Sequence, residues 1–214
     1  MTRTVRLTVV SIITLTLVLG SKGPTDASDP GTTNVREIQT AIYIAGSPIH
    51  DDQALGGFAS SRNMPKTITD DMAYVRGRLQ LIAQPQANKS VSGEGGMRLL
   101  LINATAERVA LQATDSRLAI VQEAKDESGN WRAIEAAASS WCGNSSHRMF
   151  LPAGQYWSFS APVYDGDFAT TLRFRLKGID GGGAVYSHEF AGSINLEQFA
   201  GRGPRYRRRH PSLP

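Results

Sequence analysis

Hydrophobic and polar positions alternate with a period of two through much of this chain. In residues 168–177, Phe168, Thr170, Leu172, Phe174 and Leu176 fall on one side, while Thr171, Arg173, Arg175 and Lys177 fall on the other. Side chains of a strand point alternately to its two faces, so this segment is predicted to be a strand with one dry face and one cationic face. Residues 155–163 repeat the pattern, with Trp157, Phe159, Ala161 and Val163 opposite Tyr156, Ser158 and Ser160. Between them lies Asp165-Gly166, a pair that accepts positive φ, and the two segments are therefore expected to form a hairpin.

The same reading gives strands at 37–45, 76–83, 108–113, 117–124, 147–151 and 184–190, with a last short element at 193–199. Residues 97–102 (MRLLLI) are apolar almost throughout, which predicts a central strand covered on both faces. Residues 46–70 hold two prolines and three glycines without a sustained period and read as a long loop. A helical turn is expected at 69–75, where Thr69 can cap it and Asp70 and Asp71 suit its positive end. Residues 126–131 (DESGNW) make a loop of hairpin length. Residues 133–140, with three consecutive alanines, read as an irregular or briefly helical connection.

About nine strands at close spacing, with no long amphipathic helix, define an all-β fold, an antiparallel β-sandwich. The pattern is similar to the immunoglobulin and fibronectin type III architectures. The cysteine pair of true immunoglobulin domains is absent, so the likeness is one of pattern only.

The ends have a different character. Arg3 and Arg6 precede an uncharged run at 7–20, and small residues follow. That layout makes residues 1–27 a signal peptide, with cleavage after Gly20 or Ala27, or an uncleaved N-terminal anchor. Residues 28–34 are expected to be a flexible linker, 35–200 the β-sandwich domain and 201–214 a disordered basic tail. A secreted or cell-envelope location, periplasmic or extracellular, is the expectation that follows. Cys142 is the single cysteine, so no internal disulfide forms and the fold must stand on its core.

Charge sharpens this division. The formal net charge is +4, yet residues 28–201 carry 15 Lys and Arg against 18 Asp and Glu. The excess sits in the tail at Arg202, Arg205, Arg207, Arg208 and Arg209, a cluster suited to polyanions. For an exported chain those partners are anionic cell-surface polymers or lipids, and nucleic acid is not expected.

Candidate chemistry is sparse. His50-Asp51-Asp52, Asp70-Asp71 and the Cys142/His147 pair lack any spacing specific to a metal, and no metal or other cofactor is expected. No Gly-x-Ser-x-Gly elbow is present, and the glycine-rich stretches at 93–96 and 181–183 lack the lysine and helix start of a phosphate cradle. A Cys142–His147 pair is the sharpest enzymatic arrangement the chain offers. Trp131, Trp141 and Tyr164 lie near turns and are the candidate ligand-binding residues, through rings able to stack on a sugar. Asn88, Asn103 and Asn144 begin Asn-x-Ser/Thr sequons. These features point to an exported non-enzymatic binding or structural module. The alternative is a carbohydrate-binding or carbohydrate-active protein using the loop aromatics with Asp51, Asp165 or Asp167.

Overall fold

The computed structural model describes residues 32–34, 38–85, 96–137 and 143–200. The signal-like stretch, most of the linker, Trp141, Cys142, Asn88 and the arginine tail lie outside the described residues. In chain order the strands are β1 (Thr32–Asn34), β2 (Gln39–Thr40), β3 (Lys66–Thr67), β4 (Leu79–Gln84), β5 (Met97–Asn103), β6 (Val109–Thr114), β7 (Arg117–Leu118) and β8 (Ile120–Lys125). They continue as β9 (Trp131–Ala133), β10 (Glu135–Ala136), β11 (Ser146–Leu151), β12 (Gln155–Ala161), β13 (Val163–Asp165), β14 (Phe168–Leu176), β15 (Val185–Tyr186) and β16 (Phe190–Ile194). Two short 3₁₀ turns, Gly143–Ser145 and Leu196–Ala200, complete the described elements.

The fold is all-β, and its three larger sheets are antiparallel. One has the order β3-β12-β5-β4, a second β11-β6-β7, and a third β15-β14-β8-β9 with β16 also along β14. Two short pairings are parallel, β1 with β13 and β2 with β10. β5 is central, between β12 and β4, as its continuous apolar run predicts. Its Leu99 and Leu101 enter the main core, while Leu100 and Ile102 pack on the opposite face with Tyr156, Ile68, Met72 and Tyr74. The outer face of this sheet is thus roofed by the 66–75 stretch. That stretch forms a turn closed by Met72 N–H to Thr69 O at 3.1 Å rather than the expected helical turn.

The main core draws Leu101 and Trp157 from the first sheet, Leu111 and Leu151 from the second, and Phe174 and Leu176 from the third. Burial of each such side chain is worth about 1.5–3 kcal/mol. The alternation in β14 is realised: Leu172, Phe174 and Leu176 are buried, and Arg173 and Arg175 project from the other face.

The expected hairpin between residues 155–163 and 168–177 does not form. β12 pairs with β3 and β5, whereas β14 pairs with β8, β15 and β16. Pro162, which has no N–H to donate, separates β12 from β13, and β13 carries the chain across to the other sheet. Gly166 is also needed for a different reason from the one its turn signal implies. Its φ is not positive; a Cβ there would collide with the backbone of Ile194 and Asn195.

In the 37–45 segment the period of two is right, but only Gln39–Thr40 and an isolated bridge at Ile44 are paired. Ala41, Tyr43 and Ala45 face inward, and Ile42 is 63% exposed. The aromatic residue decides the face, since the Tyr43 ring meets Phe159 and Phe174 edge-on at 5.9 and 6.1 Å.

Candidate functional site

Strand pairing brings six polar and aromatic side chains onto the outer face of the third sheet. Trp131 stands opposite Lys125, Arg173 opposite Glu123, and Arg175 opposite Tyr186. Alternation along each strand puts all six on one face. The Arg173 guanidinium carbon lies 4.0 Å from the Trp131 ring centre and 4.1 Å from that of Tyr186, so the cation bridges two aromatic rings. Lys125 Nζ is 4.9 Å from the Trp131 ring and 3.0 Å from Glu189. Glu123, nearly buried, accepts from Arg173 Nε at 2.9 Å and lies 3.1 Å from Arg175 Nε. A planar guanidinium can stack and hydrogen-bond at once, which a lysine ammonium cannot. Glu123 therefore fixes the plane that the two rings hold.

Tyr186 also opens this face onto a groove of about 600 Å³ lined by Tyr74, Val75, Arg78, Gln80 and His188 among others. Gln80 steadies one wall, accepting from Val75 N–H at 3.0 Å and donating to Val75 O at 2.8 Å. On the other wall the chain steps from β15 to β16, and Ser187 bridges the step. Its Oγ accepts from Phe174 N–H at 2.9 Å and its own N–H donates to Phe174 O at 2.9 Å. Tyr186 is left 47% exposed at the join between face and groove.

The residues singled out by sequence do not form one surface. Trp131 is half-buried in the ladder just described. Tyr164 is only 3% exposed, and its hydroxyl donates to Glu135 Oε1 at 2.9 Å, so it offers no surface to a ligand. Glu135 also receives the Tyr43 hydroxyl at 3.0 Å and Gln122 N–H at 2.8 Å. Burial holds the Glu135 carboxyl above its usual range, against the lowering effect of those donors. Burial first, and the neighbouring Glu135 second, push the phenols of Tyr43 and Tyr164 upward.

Asp51 is committed elsewhere. Its carboxylate takes Arg148 N–H at 2.7 Å and Arg148 Nη2 at 2.7 Å, and the hydrogen bonds from Arg148 lower its pKa to about 2. Asp165 accepts from Ser193 Oγ at 3.2 Å, and Asp167 is exposed. Cys142, Trp141 and the five tail arginines lie outside the described residues. Sequence reasoning passed over Glu123 and Tyr186; the cationic side of 168–177 was the signal for Arg173, but nothing local marks the strand that brings Tyr186 beside it. No protein-family model, no curated protein and no solved structure matches this chain.

Proposed function

We propose that this chain is an exported β-sandwich protein serving as a binding module of the cell envelope or extracellular space, with the Trp131–Arg173–Tyr186 face as its contact surface. The observation that supports this reading is the stacked guanidinium between two rings, oriented by Glu123 and continuous with an open groove through Tyr186. Aromatic rings and arginine are the side chains that dominate binding energy at recognition surfaces. The arginine tail supplies a second, electrostatic contact to anionic polymer or lipid.

The half-exposed Tyr186, on a groove that sets Arg78, Gln80 and His188 among aliphatic residues, favours carbohydrate as the ligand class, whose rings carry hydroxyls at the edge and apolar C–H faces. The test is retention on immobilised envelope polysaccharides, together with cell fractionation and sequencing of the mature N-terminus. Wild type should be retained, and Trp131→Ala and Tyr186→Ala should each lose about 5- to 30-fold in affinity. Full-length cytoplasmic protein with an intact N-terminus would remove the export half of the proposal. Equal retention of both variants and wild type would remove the binding half.

A further inference from the structure

A second site, on different residues, lies where the 46–63 loop crosses β11. The cleft there measures about 380 Å³, and its walls include Asp51, Phe58, Ser61, Ser116, His147 and Arg148. His147 is 3% exposed, and its Nδ1 lies 3.1 Å from Ser145 O. A carbonyl only accepts, so Nδ1 carries the proton and a neutral ring presents Nε2 as an acceptor. That Nε2 is buried and has no hydrogen-bond partner among the described residues. A buried acceptor without a donor is a costly arrangement, and one that a bound donor relieves.

The cover over this ring is lightly held. Phe58 stacks on His147 with ring centres 3.7 Å apart and planes 10° from parallel. On one side the loop is anchored by Asp51 on Arg148. On the other, Ala59 N–H donates to Asp115 Oδ1 at 3.2 Å and Ala59 O accepts from Ser116 Oγ at 2.6 Å. Between these anchors Leu55 is 81% exposed, and Gly56 and Gly57 have φ of 79° and 81°. The Phe58 ring is therefore the apolar hold of the 52–58 segment, mounted directly after two glycines at positive φ, of which Gly56 stands in open space and Gly57 packs against Asn144.

The surroundings restrict the occupant. The Arg148 guanidinium on the wall is already paired with Asp51 at 2.7 Å, so it offers no free charge to an anion. Ser116 Oγ, having donated to Ala59 O, still accepts. Both free acceptors call for a ligand that donates.

We propose that the cleft binds a small, non-anionic molecule that gives a hydroxyl or amine hydrogen to His147 Nε2, and that Phe58 turns aside on Gly56 and Gly57 to admit it. This proposal does not depend on the sheet-face reading. The test is nitrogen NMR of the histidine rings in the full chain at about pH 8. Methyl α-glucopyranoside and ethylamine are the two donor probes, and sodium acetate is the control. Either donor should move the pyridine-type Nε2 resonance of His147 while acetate leaves it in place; which donor acts separates polyol from amine. Phe58→Ala should raise the rate of His147 carbethoxylation by diethyl pyrocarbonate about two- to tenfold, the range an aromatic pair is worth, and the active probe should slow it. A free protein carrying the proton on Nε2, a response to acetate alone, no response to either donor, or an unchanged carbethoxylation rate in Phe58→Ala would each overturn the proposal. These readouts use wild type and a loop variant, so they do not depend on whether a His147 substitution folds.

Discussion

Among the described residues, Glu135 is a carboxyl with three donors and no cation. In the unfolded chain it titrates near the ordinary 4.5, and burial raises it in the fold. The folded state therefore holds its proton to higher pH than the unfolded state does. Its contribution to stability is complete below about 4.5 and is lost as pH rises through the elevated folded value. The melting temperature is expected to fall across that window, and Glu135→Gln, which keeps one acceptor and carries no charge, should flatten the fall. A calorimetric pH series on the two proteins checks it; parallel curves would count against the assignment. None of this was legible in sequence. Tyr43, Glu135 and Tyr164 come from three separate segments, and Tyr164 read as a turn aromatic because the local pattern says nothing of a buried acid across the fold.

At the scale of the element, β11 shows how a strand edge is closed without another strand. One edge pairs with β6; on the other, Arg148 N–H goes to Asp51 Oδ2 at 2.7 Å and Phe150 N–H to Ser47 Oγ at 3.2 Å. Loop side chains thus occupy donors that would otherwise invite a foreign strand. Asp51→Ala should cost about 2 kcal/mol in chemical denaturation, the scale of hydrogen bonds to a charged group. Because the Asp51 pKa is lowered, its stabilisation is full above the ordinary 3.8 and disappears as pH falls through about 2. Asp51→Ala should therefore narrow its deficit toward wild type in strong acid.

Elements themselves were read well where one face is dry. The cationic and apolar sides of β14 and the doubly covered β5 follow from spacing alone. Their partners were not, because a period of two fixes the face of a strand but not its neighbour. The Asp165-Gly166 signal suggested a hairpin where the chain crosses between sheets, and the glycine there is required by the close backbone of β16.

For the whole molecule, the two parallel pairings set an order of events. Thr32 lies beside Val163, and Gln39 beside Glu135, so the first described strands find partners only after most of the chain is present. Ladders between such distant segments place the fold among slow, millisecond-to-second folders. Stopped-flow refolding followed by tryptophan fluorescence should show that timescale, and a microsecond phase of full amplitude would contradict it. A chain delivered from its N-terminus, whether by a ribosome or through a membrane pore, therefore cannot close this seam early. β1 and β2 wait without their strand partners, open to proteases or chaperones, until the stretch that completes them has arrived.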